Sequence, residues 1–227
     1  MTARPGASPD NLRFISVHKA TVREESYEPR WPAAVAMLAI VGLRLFLPSA
    51  LTLGPDWVTA PMVGALLIPS VVMHYRHQHR ANQILGYMLL VIVTADMIAS
   101  LALLIARLPV HKESPRELLV AAVGLWSSNV LVFASWYWRL DAGGPNVRDH
   151  IAVHENGAFL FPQMQIRQKG WKPGFVDYLF LAFNTSTAFS PTDVPVLSRW
   201  AKVMMMVQSS ISLGTVVILA GRAVNIL

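Results

Sequence analysis

The chain contains no cysteine and few charged residues. Without cysteine, disulfide bonds, thiolate nucleophiles and cysteine-ligated metals are excluded. Charged side chains make up 14% of the residues and apolar ones 54%, a balance outside the range of ordinary soluble domains. The 227 residues are used up by one bundle of membrane helices, so a separate soluble catalytic domain does not fit.

Patterns typical of catalytic and metal sites are also missing. No Ser/His/Asp arrangement, glycine-rich phosphate loop or pair of acids stands out. His74, His77 and His79 could ligate zinc in principle, but they lie among arginines, and His150 and His154 fall beside a predicted hairpin turn. We therefore expect no enzyme activity, no metal site and no cofactor.

The net charge of +6 points to a lipid partner. In membrane proteins such an excess reflects cytoplasmic Lys and Arg near anionic lipid. No basic patch alternates with aromatic residues in the way that single-strand binders require, so we expect a lipid bilayer and no nucleic acid as partner.

Long apolar runs predict an all-α, polytopic transmembrane helix bundle. We expect four spans, then a re-entrant half-helix and a final spanning helix. The four spans are predicted at 31–51, 57–75, 82–108 and 115–138. The chain then divides into a cytoplasmic tail (1–30), a four-helix bundle (31–138), an extramembrane flap (139–173) and a C-terminal unit (174–227).

The basic residues of the connections predict the orientation. The tail carries five Lys or Arg and the segment 139–173 carries five more, whereas the connection at Gly54-Pro55-Asp56 carries none. By the positive-inside rule the N-terminus is cytoplasmic. Within the flap, residues 151–161 alternate on both sides of Asn156-Gly157, which predicts a small β-hairpin.

The C-terminal unit has the layout of a pore loop. Nine mostly apolar residues, 175–183, are too few to cross a bilayer, and Pro191 favours a helix end before it. Irregular backbone at membrane depth survives only inside protein or along a wet cavity, which favours a re-entrant half-helix over a short polar sixth span. The polar residues predicted to line a loop or pore are Asn184, Thr185, Ser186, Thr187, Ser190, Thr192 and Asp193.

The C-terminal unit resembles the end of a family of uncharacterised bacterial multi-pass membrane proteins, a domain of unknown function. The matching residues are Asp177-Tyr178, Ala182-Phe183, Thr187-Ala188-Phe189-Ser190, Asp193-Val194, Ser198-Arg199 and Ala223-Val224-Asn225. The resemblance implies a multi-pass architecture in the bacterial inner membrane and no established activity. In layout alone the unit is similar to tetrameric cation channels, but Pro191 falls where their filters need glycine, so a potassium-type filter is excluded.

Two further sets of polar residues lie in the predicted spans. Arg44 and Asp96 both fall near the bilayer midplane, where a structural salt bridge is favoured over a proton or ion relay. Gln208, Ser212 and Thr215 form one polar stripe on the last helix, which either lines a permeation path or holds helices together. Ser127, Ser128 and Asn129 of the fourth span could face that stripe.

Three functional hypotheses follow. The first is an ion or small-solute channel built by a homo-oligomer around residues 184–193. The second is a non-conducting membrane scaffold or assembly factor that uses the same residues for packing. The third is a small transporter that uses Arg44 and Asp96.

Overall fold

The computed structural model describes residues 28–45, 47, 79–107, 114–150, 157–168, 170–187 and 194–224. Several sequence predictions lie outside these ranges: most of the tail, the second span at 57–75, the first half of the hairpin, the histidines His74, His77 and His154, and the loop residues Ser190, Thr192 and Asp193.

The described residues are almost entirely helical. The helices in chain order are α1 (Trp31–Leu45), α2 (His79–Arg107), α3 (Pro115–Leu140), α4 (Pro145–His150), α5 (Pro162–Gln165), α6 (Phe175–Thr187) and α7 (Arg199–Val224). A short 3-10 turn, Asp141–Gly143, separates α3 from α4. The predicted all-α helix bundle is confirmed for this part of the chain, which has no strand beyond one isolated β-bridge.

Among the described residues, three apolar helical stretches are long enough to cross a membrane. They are Asn82–Ala106 in α2, Arg116–Gly143 in α3 and the turn after it, and Arg199–Ile218 in α7. Helix α1 is shorter than predicted, because it ends at Leu45 and a bend follows at Leu47. Pro48 disfavours the helical conformation of the residue before it, which accounts for an early end.

Helix α3 forms the centre of the bundle. It packs against α1, α2, α6 and α7, and α6 in turn packs against α7. Of the apolar stretch of α3, 67% is buried, against 33% for α2 and 22% for α7. The outer faces of α2 and α7 therefore present apolar side chains to the surroundings, as helices facing lipid do.

Local sequence signals fix the start of α3. Pro115 occupies the first turn, where its missing N–H costs nothing. Ser114 and Glu117 form a capping box: the Glu117 N–H donates to Ser114 Oγ at 3.3 Å, and the Ser114 N–H donates to Glu117 Oε2 at 2.9 Å.

The part of the flap that the structure describes packs against the start of the C-terminal unit. Phe159 and Val196 form an antiparallel bridge, in which the Leu160 N–H donates to Pro195 O at 2.9 Å and the Leu197 N–H donates to Ala158 O at 2.8 Å. The sequence did not predict this pairing. The hairpin around Asn156-Gly157 stays a prediction, since residues 151–156 lie outside the described ranges.

Candidate functional site

A buried polar cluster joins α3, α6 and α7, and Gln208 is its centre. The Tyr137 hydroxyl donates to Gln208 Oε1 at 2.6 Å. Gln208 Nε2 donates to the carbonyl oxygen of Ala182 at 2.7 Å and to Ser186 Oγ at 2.8 Å. The Gln208 side chain is fully buried, and both of its amide hydrogens and its carbonyl oxygen are engaged within the chain.

Asn129 of α3 connects the same cluster to the next turn of α7. Its Nδ2 donates to Ser212 Oγ at 2.7 Å and to the backbone carbonyl of Gln208 at 3.2 Å. Thr215, one turn further on, is fully buried and donates to its own helix at Ile211 O, 2.9 Å away. The predicted stripe of α7 thus faces the interior of the bundle, and among the predicted facing residues of α3 it is Asn129 that reaches it.

Four of the predicted pore or loop residues, Asn184, Thr185, Ser186 and Thr187, are helical, so the prediction that they form an irregular loop is wrong. Helix α6 continues through Thr187. The Thr185 hydroxyl donates to Leu181 O at 2.8 Å and the Thr187 hydroxyl donates to Asn184 O at 3.1 Å. Ser and Thr hydroxyls can end a helix when they bond backbone groups that the helix itself needs. Here the hydroxyls are compatible with the helical conformation and donate to carbonyls of the preceding turn.

The described part of helix α6 is nevertheless short. Its 13 residues extend about 20 Å, whereas the hydrocarbon core of a bilayer is about 30 Å thick. Thr185 and Ser186 are buried against α7, where Ser209 Oγ donates to the Thr185 carbonyl at 3.2 Å. Whether α6 re-enters or crosses stays a prediction.

Arg44 and Asp96 lie in contact between α1 and α2. Arg44 Nη1 donates to Asp96 Oδ2 at 2.7 Å, and Ser100 Oγ is 3.5 Å from the same nitrogen. A cavity of about 30 Å³ adjoins the pair and is also lined by Ser100 and Ser128. That volume holds a water molecule or two and no larger solute.

A second polar cluster, which the sequence did not predict, joins the segment before α1 to the turn after α3. Arg148 is 2% exposed; its Nη1 donates to the carbonyls of Trp138 and Asp141 at 2.8 and 2.9 Å, and its Nη2 donates to Glu28 at 3.2 Å. The Tyr178 hydroxyl donates to Asp141 Oδ2 at 2.6 Å. We call these five residues the turn cluster.

Three neighbouring residues extend the turn cluster. Arg30 forms a salt bridge with Asp149, and its Nη2 also donates to Asn146 Oδ1 at 3.2 Å. Burial lowers the pKa of Arg30, and the carboxylates of Asp149 and Glu28 act in the opposite direction. The charges are matched locally, which is the usual condition for placing ionised side chains in a protein interior.

The fold of the turn explains why this cluster could not be predicted from the sequence. Ala142, Gly143 and Gly144 all have positive φ, at 48°, 79° and 87°, so the chain reverses and returns Arg148 to the end of α3. The Asp-Ala-Gly-Gly-Pro sequence predicts a turn. The acidic partner of Arg148, however, is Glu28, which lies more than a hundred residues earlier in the chain.

No protein-family model matches the chain, and no curated protein and no solved structure matches it. The resemblance to a family of bacterial membrane proteins therefore stays a prediction from the residues of the C-terminal unit.

Proposed function

We propose that this protein is a multi-pass protein of the bacterial inner membrane, with a cytoplasmic N-terminus, that acts as a non-conducting scaffold or assembly factor. Three helices of sufficient length and hydropathy support insertion in a bilayer. The distribution of Lys and Arg in the connections supports the orientation.

The hydrogen bonding of Gln208 is the observation that carries this proposal. A pore lining needs polar groups that are free to face water or the permeating species. The amide of Gln208 instead makes three bonds inside the chain, to Tyr137, Ala182 and Ser186. Polar side chains that bond across helices in this way are typical of residues that hold membrane helices together.

The outer surface of the bundle supports the same function. Apolar side chains on α7 are exposed by about half or more, among them Val203 (54%), Leu213 (63%) and Val217 (60%). A helix with its polar groups turned inward and its apolar groups turned outward is suited to contact lipid or other membrane helices.

An oligomeric pore is the second candidate, and the length of α6 favours it. A 13-residue helix followed by a polar segment and a full-length apolar helix retains the layout of a pore loop. In this alternative, copies of the chain assemble around residues 184–193 and Asp193 attracts cations at the mouth. Thr185 and Ser186 face α7, which leaves Asn184, Thr187, Ser190, Thr192 and Asp193 as the predicted lining of such a pore.

Flux through liposomes that contain the purified protein tests the two candidates. We expect no ion or small-solute flux above that of empty liposomes, across pH and voltage, with an added ionophore as the positive control. The proposal is overturned by wild-type flux that Asp193→Asn lowers mainly at low ionic strength, since salt screens a carboxylate ring. Thr187→Val is a second test of the pore, because loss of a hydroxyl in a constriction lowers flux at any salt concentration.

A further inference from the structure

Arg139 differs from the other interior arginines of the described residues in having no acidic partner. Arg30 pairs with Asp149, Arg44 with Asp96 and Arg148 with Glu28. Within the described part of the chain no carboxylate and no hydrogen-bond acceptor contacts the guanidinium of Arg139, and its Nε is buried without a partner. Among the described residues, the guanidinium is therefore a set of hydrogen-bond donors without an acceptor.

The guanidinium of Arg139 packs between α2 and α3. It lies directly on Gly86 of α2, where a Cβ atom would be 2.1 Å from Nη1. The guanidinium carbon is also 5.4 Å from the centre of the Trp138 ring. The Tyr87 hydroxyl donates to the backbone carbonyl of Arg139 at 3.1 Å, which holds the two helices together at this level. Gly86 and Trp138 thus position the cation.

Aromatic side chains near Arg139 indicate a position at the membrane interface. Tyr87 and Trp136 stack with their ring centres 6.2 Å apart, and Trp138 lies one turn from the end of α3. Tyr and Trp collect where the hydrocarbon core meets the lipid headgroups. The start of α2 and the end of α3 lie on the cytoplasmic side in the proposed orientation, the side where basic clefts between membrane helices bind anionic headgroups.

We propose that Arg139, held by Gly86 and Trp138, binds the phosphate of an anionic phospholipid headgroup. Arginine presents a planar fork of N–H donors that matches phosphate oxygens, and it is half-buried here, so that the fork is held in place yet reaches the surface. Free phosphate has the same chemistry, but the position among interfacial aromatics and apolar helix faces favours a lipid. The inference rests on the membrane placement of the proposed function and adds a ligand to it.

Binding is tested by native mass spectrometry and thermal unfolding of the full chain in neutral detergent. The added probes are phosphatidylglycerol, phosphatidylcholine and inorganic phosphate. We expect phosphatidylglycerol to remain bound and to raise the Tm, and the other two to do neither. Phosphatidylcholine binding equally well, or inorganic phosphate alone reproducing the shift, overturns the lipid assignment.

Two variants and one control localise the site. Arg139→Gln should weaken phosphatidylglycerol binding about fivefold, the factor that corresponds to about 1 kcal/mol for one basic residue near an anionic surface. Gly86→Ala keeps the charge but displaces the guanidinium, and should weaken binding to a similar degree. Arg199→Gln removes an equal charge from an exposed position at the start of α7 and should leave binding unchanged.

These measurements test the lipid site at Arg139 separately from the scaffold proposal. Equal loss in Arg139→Gln and Arg199→Gln would mean a general charge effect and would overturn the site. If Arg139→Gln does not fold, Gly86→Ala still provides the comparison. Flux in liposomes does not enter any of these outcomes, so failure of one proposal leaves the other standing.

Discussion

At the scale of single residues, the interior of this bundle depends on polar groups that meet their partners inside the chain. A polar group left unpaired in an apolar interior costs more free energy than a formed hydrogen bond contributes. Gln208 and Asn129 avoid most of that cost by bonding to backbone carbonyls and hydroxyls of neighbouring helices. The same atoms therefore fix how α3, α6 and α7 are rotated against one another.

Gln208→Leu should lower the stability of the bundle by about 2 kcal/mol, since each interhelical side-chain hydrogen bond in a membrane contributes about 0.6 kcal/mol on average and three are lost. Unfolding in detergent, followed by circular dichroism, measures the change. Ser210→Ala is the matched control, because the Ser210 hydroxyl is exposed and donates only to Met206 O of its own helix. A Gln208→Leu protein as stable as the control would show that the cluster contributes nothing.

The stripe of Gln208, Ser212 and Thr215 could be recognised in the sequence because a helical period places the three residues on one face. The sequence does not distinguish a stripe that lines a water-filled path from one that bonds to neighbouring helices, since the spacing of the residues is the same in both. The distinction depends on Tyr137 and Asn129, which reach the stripe from α3, about seventy to eighty residues earlier in the chain. Arg139 went unnoticed for a similar reason, because its lack of a partner is a property of the packed bundle.

At the scale of whole elements, the long apolar helices were the most predictable part. The predicted spans 82–108 and 115–138 agree closely with α2 and α3, because basic residues and prolines mark the ends of long apolar runs. Helix α6 was predicted to end in the polar cluster before Pro191, and it continues through Thr187, where its hydroxyls bond their own helix. The bridge between Phe159 and Val196 joins distant segments whose pairing no local pattern specifies.

The pair of Arg44 and Asp96 should lock α1 against α2. The two side chains retain 10% and 21% of their exposure, so we expect Arg44→Ala to cost about 3 kcal/mol, the lower end for truncating one partner of a buried pair. The double variant Arg44→Met with Asp96→Leu should recover much of this loss, because it leaves no stranded carboxylate. Detergent melts measure both. Single variants that melt like wild type would show that the pair does not stabilise the contact between the two helices.

At the scale of the whole molecule, the arrangement of charge and hydropathy is consistent along the chain. Matched ion pairs gather at the turn cluster, where α3 ends, and the polar cluster of Gln208 lies within the helices. The outer faces of α2 and α7 are mainly apolar. A bundle of this kind satisfies many of its polar groups internally and leaves an apolar surface for lipid and for other membrane proteins, which is what the proposed scaffold requires.

The location of the C-terminus distinguishes the two paths that α6 can take. With a cytoplasmic N-terminus and four spans before the flap, a re-entrant α6 leaves one further crossing, by α7, and places the C-terminus in the periplasm. An α6 that crosses adds another span and returns the C-terminus to the cytoplasm. The 13 residues of α6 reach about 20 Å of a core about 30 Å thick, so we expect re-entry.

Alkaline phosphatase fused after Leu227 should therefore be active, and a fluorescent reporter that matures only in the cytoplasm should be dark. The same fusions placed after Asp141, on the cytoplasmic side of α3, should give the reverse pattern and serve as the control. A C-terminal fusion that behaves like the control would rule out the half-helix and, with it, the pore-loop layout.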